Sequence, residues 1–321
     1  MRRYLLSILL IALVAAPALA GDEIFRLTDP RGDDHGDGDL KYPSDYYGLQ
    51  KGDLDLVEFA ARRVDGATEF EATFAQPVRS TGRRTIDIGG TSLDSVARFG
   101  FYTTNIDIYI DTDHVQGSGG LITMPGRRAE IAPENAWEKA IVLTPRPFEA
   151  RSTLKDILLR SLKRQLNAHG GNVSREDAER IKAVLPEDVD SHIFFPTRVR
   201  ISGRTIRFQV PDSFLGGPAR ADWGYVVFVT GADIDLRFAV LPPSVGKASD
   251  ETLMLLPISP GGATDHFGGG REDDDLQPPI VDLLVPPGMK QEDILRSDDP
   301  GKNIPVRLPA VIPARLAGEK H

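Results

Sequence analysis

The segment 57–74 constrains the fold more strongly than any other part of the sequence. Apolar and polar residues alternate along both halves of this segment, and Asp65-Gly66 separates the halves. Asp-Gly supplies the positive φ angles that a two-residue hairpin turn requires. A one-residue slip would expose every apolar side chain, so the sequence predicts a hairpin with a fixed register and one buried face. The predicted pairs are Val57–Phe74, Phe59–Ala72, Ala61–Phe70 and, as an ion pair on the opposite face, Arg62–Glu69.

Short strands of a similar kind recur along the chain. Isoleucines alternate with polar residues over 106–111, a second hairpin is expected over 198–210 with its turn at Ser202-Gly203, and 223–229 is apolar on both faces. A strand that is apolar on both faces is typical of the centre of a covered sheet. The chain also contains 31 glycines and 24 prolines, which is typical of a turn-rich β protein. We therefore predict a mainly β fold, an antiparallel two-sheet β-sandwich, rather than alternating strands and helices.

One helical segment interrupts the strands, from about residue 152 to 185. Apolar residues recur at helical spacing in its first half, and the polar, glycine-containing stretch 169–172 ends this helix. Ser174 and Asp177 form a capping box that opens a second helix, which Pro186 is expected to stop. We predict an inserted two-helix hairpin that packs on the sandwich as a lid, with an arm that binds a protein partner as the alternative.

Residues 1–20 have the organisation of a secretory signal peptide. Arg2 and Arg3 precede an apolar run over 8–16, and Ala18-Leu19-Ala20 supplies the small residues of a cleavage site. The apolar run is shorter than the ~20 residues that cross a bilayer, and no later segment is apolar enough to do so. The sequence predicts an exported protein, periplasmic or secreted, with no membrane span in the mature chain.

Charge and composition exclude several classes of function. The net charge is −9 and the basic residues are not clustered, which argues against nucleic acid as a partner. The absence of cysteine excludes a disulfide, a thiolate metal site and a cysteine nucleophile.

We expect one sandwich domain over 21–295, followed by a proline-rich tail over 296–321 that lies extended along the surface.

No sequence pattern identifies a catalytic centre. The six histidines do not have zinc-site spacing, and G-x-S-x-G, a phosphate loop and a dinucleotide fingerprint are absent. Glycoside hydrolysis needs two carboxyl groups that face each other across a cleft, and the sequence does not single out such a pair. The sequence therefore favours a protein that is not an enzyme, and a hydrolase that uses its acidic loops is the alternative.

The segment 29–39 is the strongest candidate for a site. It contains five aspartates in eleven residues, and interleaved glycines let the backbone fold tightly around them. Oxygen ligands on a flexible loop are what calcium prefers, although the spacing is not that of an EF-hand. Asp55 lies on the buried face of the first hairpin, where an unpaired carboxylate would be costly. We predict a structural calcium site, with a solvated acidic turn as the alternative. Its predicted ligands are Asp29, Asp33, Asp34, Asp37 and Asp55.

A series of short motifs spans residues 25–295 in a specific order. They are D-P-x-G-D-D-x-G-x-G at 29–38, Tyr42-Pro43, G-D-L-D-L at 52–56, Val210-Pro211, F-L-G at 214–216, W-G-Y at 223–225, V-T-G at 229–231, F-G-G-G at 267–270, Pro279, Val281 and Asp282. Their order resembles the C-terminal module of glucodextranase, which also occurs in amylopullulanase-type proteins. That module belongs to the DOMON-like, carbohydrate-module-like β-sandwiches.

The resemblance implies a DOMON-like sandwich, export, a bound calcium ion and a non-catalytic role in binding polysaccharide or cell-surface glycan. Sugar-binding sandwiches usually present aromatic faces to pyranose rings. Tyr42, Tyr46 and Tyr47 lie in one loop and are our candidates for an exposed aromatic platform. The predicted helical hairpin looks like an insertion into the family pattern.

Some DOMON-like sandwiches hold haem, so a haem-binding redox module is a further alternative. His114 or His266 would then serve as one axial ligand. The other would be one of the three methionines beyond the signal peptide, which are Met124, Met254 and Met289.

Overall fold

The computed structural model of the chain describes ten ranges of residues. They are 22–46, 48–79, 87–88, 91–92, 98–168, 175–233, 253–260, 264–271, 277–302 and 304–318. The predicted signal peptide (1–20), Tyr47 and the segment 169–174 lie outside the described residues.

Strands predominate in the described residues, as the sequence predicts. In chain order the strands are β1 (Glu23–Thr28), β2 (Leu56–Val64), β3 (Ala67–Phe74), β4 (Asp87–Ile88), β5 (Thr91–Ser92), β6 (Thr104–Asp111), β7 (Ala129–Ile131), β8 (Lys139–Leu143), β9 (Ile193–Phe194), β10 (Val199–Ser202), β11 (Thr205–Pro211), β12 (Gly224–Gly231), β13 (Asp282–Leu283) and β14 (Val306–Leu308). The helices are α1 (Pro147–Ala168), α2 (Arg175–His192), α3 (Asp212–Leu215), α4 (Gln291–Leu295) and α5 (Pro313–Gly318), with 3-10 turns at Pro133–Asn135 and Pro300–Lys302.

The strands form two five-stranded sheets. The first has the order β1-β2-β3-β11-β10 and is antiparallel throughout. The second has the order β13-β12-β6-β8-β9 and is antiparallel except where β9 joins β8 in parallel. Two short pairs, β4 with β5 and β7 with β14, complete the β structure. The strand predicted over 223–229 corresponds to β12, which is buried along its whole length between β13 and β6.

The predicted first hairpin is confirmed, with one local shift. Ala61 pairs with Phe70 as expected, and Gly66 adopts a positive φ of 65° in the turn. A bulge near the start of β2 brings Leu56, not Val57, opposite Phe74. The bulge points the Leu56 side chain into the core, where it is fully buried.

The outer face of this hairpin has a different ion pair from the predicted one. Arg62 lies opposite Glu69 as expected, but its Nε lies 3.5 Å from the Glu71 carboxylate. Glu71 also accepts a hydrogen bond of 2.7 Å from Nε of Arg207 on β11. Glu71 is thus shared by two arginines from neighbouring strands, because Arg207 lies directly opposite it and the long side chain of Arg62 reaches it diagonally.

The main hydrophobic core lies between the two sheets. From the first sheet, Phe70 stacks on Phe59 and Phe208, with ring centroids 5.6 Å and 5.7 Å apart. From the second sheet, Ile108 and Val227 join the same buried cluster. Each sheet therefore contributes alternate side chains to one shared core, which confirms the predicted two-sheet β-sandwich.

The outer face of the second sheet is also covered. Tyr109 of β6 belongs to a second hydrophobic cluster that includes Leu154 of α1 and residues of β14. On the same face, Asp107 is fully buried and accepts hydrogen bonds of 2.7 Å and 3.1 Å from the guanidinium of buried Arg127. Both faces of β6 are thus buried. In the first sheet, by contrast, side chains on the face away from the core, such as Arg62 and Arg207, are partly exposed.

The two-helix insertion is present, but Pro186 does not end the second helix. Helix α2 continues past Pro186 to His192. The extra turn buries Val189 in the second cluster and places Asp190 beside Arg151 of α1, with which it forms a salt bridge. These contacts offset the loss of one helical hydrogen bond at proline. The packing of α1 agrees with the lid interpretation, and a protein partner for the insertion stays a prediction.

The tail also differs from the prediction of an extended surface segment. Val306 and Leu308 of β14 are fully buried, and β14 pairs in parallel with β7. Val311 exchanges backbone hydrogen bonds of 2.9 Å with Tyr225 of β12. The prolines in this stretch separate short elements, and the apolar residues between them pack on the sandwich.

Among the described residues, no helix combines the length and hydrophobicity needed to cross a membrane.

Candidate metal centre

The acidic loop 29–39 follows β1 and is held against the start of β13. Nε2 of Gln291 donates hydrogen bonds to the carbonyl oxygens of Asp33 (2.7 Å) and Gly36 (2.8 Å). Gly36 has a positive φ of 58°, and a Cβ atom there would lie 2.8 Å from the carbonyl oxygen of Ile280. Only glycine allows the loop to approach the β13 segment this closely.

Three aspartates meet where this loop reaches β13. Carboxylate oxygens of Asp29, Asp33 and Asp282 lie within 4.8 Å of one another. Asp282 is fully buried, and its Oδ2 accepts a hydrogen bond of 2.5 Å from the backbone N–H of Leu56. Its Oδ1 is buried without a hydrogen bond, as are Oδ2 of Asp29 and Oδ1 of Asp33.

Asp55 and Asp34 extend this group of carboxyl groups. Asp55 accepts a hydrogen bond of 2.7 Å from the N–H of Gly32, and Asp34 accepts two of 2.6 Å from the Tyr42 hydroxyl and the N–H of Gly52. In both residues one oxygen makes these bonds and Oδ1 is buried without a partner. Five carboxyl groups at this corner therefore each keep one buried oxygen that makes no hydrogen bond.

The ionisation of this group is strongly perturbed. Burial, together with the charge of Asp33, raises the pKa of Asp29 to about 8. Burial raises the pKa of Asp33 to about 6, and Asp55 adds to the effect. Burial and the neighbouring Asp29 raise the pKa of Asp282 well above its usual range, and burial also raises the pKa of Asp55. Without a cation, these carboxyl groups resist ionisation because they are buried and lie beside one another.

The donor set fits a hard divalent cation. Buried carboxylates are usually paired with cationic side chains or coordinate a metal. Within the described ranges, no salt bridge involves Asp29, Asp33 or Asp282. Several carboxylate oxygens from loops and a strand end are the ligands that calcium takes, at distances that flexible loops can adjust. The unbonded oxygens described above would supply those ligands.

Asp37, the remaining predicted ligand, has a different environment from the other four. It is almost fully buried, and its Oδ2 lies 3.7 Å from Nε of Arg271 and 3.9 Å from Nε of Arg296. The structure therefore gives Asp37 cationic partners, and it does not bring Asp37 into the group formed by Asp29, Asp33 and Asp282.

Asp282 is the residue of this site that the search for ligands in the sequence missed. It lies in β13, far along the chain from the acidic loop. Its signal in the sequence is that it is the only charged residue in the apolar run 279–286. A lone acid inside a buried strand needs a partner, and here the partners come from the other end of the chain.

Of the three tyrosines predicted to form an exposed platform, Tyr46 is buried, Tyr42 is partly buried and Tyr47 lies outside the described residues. Tyr46 is buried, with 3% of its surface exposed, and its hydroxyl donates a hydrogen bond of 2.9 Å to the carbonyl oxygen of Ala232. Tyr42 is partly buried, packs its ring edge-on against Phe267 and donates its hydroxyl proton to Asp34. Both rings pack in the main core cluster, and Tyr42 also supports the acidic group through its hydrogen bond to Asp34.

A different surface feature lies at the outer edge of the first sheet. A groove of about 450 Å³ runs along β10 and β11. Arg200 of β10 lies directly opposite Arg207 of β11 in the ladder, and Arg198 and the partly exposed Phe99 complete one wall. The residues that line the groove are Glu69, Phe99, Thr197, Arg198, Val199, Arg200, Arg207 and Gln209.

Comparison with protein families matches residues 24–309 to one family, described as the SLH-like C-terminal binding module of glucodextranase. The match covers nearly all of the described residues, from β1 to the residue after β14. The chain belongs to this family. No curated protein matches the chain in a sequence search.

Membership of the glucodextranase C-terminal module family agrees with the fold. The matched range contains both five-stranded sheets, the acidic loop and Asp282. It also contains the helical insertion, α1 and α2. The family is a binding module rather than a catalytic domain, which is consistent with the prediction that the chain is not an enzyme.

Proposed function

We propose that the protein is an exported, non-catalytic module that binds polysaccharide or cell-envelope glycan. The observation that carries this proposal is the family match over residues 24–309, because the family is a binding module of a glucan-degrading enzyme. The sandwich supports it, since Arg62, Glu69 and Arg207 on the outer face of the first sheet are partly exposed and could contact a partner.

The groove along β10 and β11 is our candidate for the glycan site. The side chains of Arg200 and Arg207 are neighbours on one sheet face, and like charges directly opposite each other are destabilising. Arg207 is neutralised by Glu71, but no described carboxylate forms a salt bridge with Arg198 or Arg200. An anionic group bound in the groove would relieve this repulsion, and guanidinium groups bind carboxylates bidentately. The groove therefore favours a glycan that carries acidic sugars.

Binding to immobilised polysaccharides tests this proposal. Neutral α-glucans and uronic acid-containing polysaccharides are compared by affinity electrophoresis, with wild type and the double variant Arg198→Gln, Arg200→Gln. We expect the acidic polysaccharides to retard the wild type, and the double variant to lose most of that retardation. Arg63→Gln, an exposed arginine of the same sheet outside the groove, is the matched control.

Two results would contradict these assignments in different ways. Equal retardation of the wild type and the double variant would place the glycan elsewhere on the module. No retardation by any polysaccharide, from a protein shown to be folded by circular dichroism, would contradict the glycan-binding function itself.

We also propose that a calcium ion occupies the corner formed by the acidic loop, Asp55 and Asp282. Its role there is structural, because it would join the loop after β1 to the start of β13 and neutralise carboxyl groups that form no salt bridge within the described part of the chain. A ligand that binds only the folded state stabilises that state by mass action.

Thermal unfolding in calcium and in chelator tests the calcium site. We expect chelator to lower the melting temperature of the wild type by more than that of the double variant Asp33→Ala, Asp34→Ala, because the variant lacks the ion at this corner. Asp37→Asn is the matched control, since Asp37 lies in the same loop but is paired with arginines. A wild-type melting temperature that does not respond to chelator would contradict the proposed ion.

Export is part of the same proposal and has a direct test. Processing of the predicted signal peptide after Ala20 would give a mature protein that begins at Gly21. Intact-mass measurement of the protein from the periplasmic fraction and from the medium should give this truncated mass in one of the two fractions. A full-length mass from the cytoplasmic fraction alone would contradict export.

A further inference from the structure

We propose a second calcium site at the end of β6, formed by Asp111, Asp113 and Glu138. Oxygens of these three carboxylates lie within 4.8 Å of one another. Asp111 is the last residue of β6, Asp113 lies in the loop that follows, and Glu138 directly precedes β8. The site is separate from the amino-terminal corner, with which it shares no residue.

Asp111 is the residue that points to a bound cation. Its side chain is 1% exposed, and its Oδ2 is buried without a hydrogen bond. Asp107, on the same face of the same strand, shows how a buried carboxylate is satisfied here, because both of its oxygens bind the guanidinium of Arg127. Within the described residues, no lysine or arginine forms a salt bridge with Asp111.

His114 is the basic residue that lies beside Asp111 in the part of the chain that the structure describes. Its Nδ1 lies 3.2 Å from Oδ2 of Asp111, without the geometry of a hydrogen bond, and its Nε2 contacts the carbonyl oxygen of Asp222. The ring is more than a third exposed. One imidazole carries at most a single positive charge and cannot balance three neighbouring carboxylates, so the site keeps an excess of negative charge.

The backbone and hydroxyl groups around the site order the carboxylates without neutralising them. Oδ1 of Asp111 accepts hydrogen bonds from the N–H groups of Asp113 (3.2 Å) and His114 (2.7 Å). Oε2 of Glu138 accepts a hydrogen bond of 2.7 Å from the N–H of Thr112. The Ser118 hydroxyl lies 3.0 Å from Oδ1 of Asp113 and 3.1 Å from Oε1 of Glu138, but its single proton can serve only one of them.

Two glycines hold the loop close to Glu138. Gly120 exchanges backbone hydrogen bonds of 2.8 Å and 2.9 Å with Trp137. A Cβ atom on Gly119 would lie 2.4 Å from the carbonyl oxygen of Trp137 and 2.5 Å from Oε1 of Glu138. The close approach of the loop to Glu138 therefore depends on glycine. This approach holds the carboxylate of Glu138 beside those of Asp111 and Asp113.

The donor set selects the class of ion. Three carboxylates and a hydroxyl are hard oxygen ligands, which suit calcium, and the loop between Asp111 and Glu138 can adapt to its longer and more variable bonds. A zinc site would instead use a few nitrogen, sulfur or carboxylate ligands in a tetrahedron, with His114 as a direct ligand.

The test is the number of calcium ions bound per protein, measured by isothermal titration after treatment with chelator. We expect Asp113→Asn and Glu138→Gln each to reduce the stoichiometry by one ion relative to the wild type. Asp113 is exposed, so its substitution should leave the fold intact, as circular dichroism would verify. Asp65→Asn, in an exposed hairpin turn, is the matched control.

A second readout reports on this site alone. Trp137 is next to Glu138 and contacts the loop, so terbium bound here should luminesce when tryptophan is excited, and Asp113→Asn should abolish most of that signal. Unchanged calcium stoichiometry and unchanged terbium luminescence in both variants would overturn the proposal. Zinc binding that is lost in His114→Gln, together with a calcium stoichiometry that neither carboxylate variant lowers, would overturn it in favour of a zinc site.

Discussion

Asp282 shows how one residue can decide the character of a site. It is fully buried, its Oδ2 accepts a hydrogen bond from the N–H of Leu56, and one of its oxygens lies within 4.8 Å of carboxylate oxygens of Asp29 and Asp33. Burial opposes its ionisation, whereas a bound cation would favour it. The same carboxyl group should therefore destabilise the protein without calcium and stabilise it with calcium.

The variant Asp282→Asn separates these two effects. Without calcium, we expect the variant to melt at the same temperature as the wild type or higher, because a carboxyl group that resists burial has been removed. With calcium at ~100 times its dissociation constant, binding at this corner should add about 2.7 kcal/mol to the stability of the wild type and little to that of the variant. Differential scanning calorimetry in chelator and in calcium measures both. A variant that keeps the full calcium response would contradict the role of Asp282.

The pH dependence of the metal-free protein follows from the same group. The pKa values of Asp29 and Asp33 are raised in the folded state to about 8 and about 6. The folded state therefore holds more protons than the unfolded state above pH ~4, and stability falls as pH rises from there towards 8.

We expect the melting temperature of the wild type in chelator to be lower at pH 8 than at pH 5, and calcium to remove most of this difference at pH 8. Unfolding scans across this pH range provide the measurement. The double variant Asp29→Asn, Asp33→Asn should show a flatter profile in chelator. A metal-free wild type that becomes more stable between pH 5 and pH 8 would contradict the raised pKa values.

At the scale of elements, the sequence predicts best where one local pattern dominates. The first hairpin follows from alternation and its turn, and its register is confirmed at Ala61–Phe70. The bulge that puts Leu56 rather than Val57 opposite Phe74 is not visible in the alternation, because both residues are apolar. The predicted end of α2 at Pro186 is wrong for a related reason. Proline disfavours a helix locally, but the helix continues because Val189 packs in the second hydrophobic cluster, and a tertiary contact of this kind is not visible in the local sequence.

Pro186 provides a prediction for this helix. Proline in a helix interior costs up to ~3 kcal/mol relative to alanine, since it removes a hydrogen bond and crowds the preceding turn. We expect Pro186→Ala to raise the melting temperature by several degrees, at ~2–4 °C for each kcal/mol in a domain of this size. Calorimetry checks this expectation. Glu187→Ala, at the neighbouring exposed position, is the control for a general effect of alanine. A lower melting temperature would mean that proline is needed for the packing of α2.

At the scale of the whole molecule, the two-sheet sandwich was predictable and the complete acidic site was not. The number of short strands and the glycine and proline content indicate the architecture. Asp29, Asp33, Asp34 and Asp55 could be predicted because they are close in sequence and crowded. Asp282 could not be assigned to them, because only the folded chain brings Leu56, 226 positions away, and the acidic loop to β13.

Limited proteolysis tests how far this corner stabilises the whole molecule. We expect chelator to open the acidic loop first, so that early cleavage falls within 29–45, while calcium delays it. Mass spectrometry of the first fragments locates the cuts. Asp33→Ala with Asp34→Ala should be cleaved in calcium as the wild type is in chelator. First cuts elsewhere, for example in α1, would show that the loop is stable without an ion.

The contact between the acidic loop and β13 has a consequence for the environment in which the protein works. A chain with no cysteine cannot close its ends with a covalent cross-link, and an ion shared by Asp29, Asp33 and Asp282 would take that place. Such a closure would not respond to reductants or oxidants and would depend on the concentration of free calcium around the protein. The stability of this module against unfolding would then depend on the free calcium concentration and not on the redox potential of its surroundings.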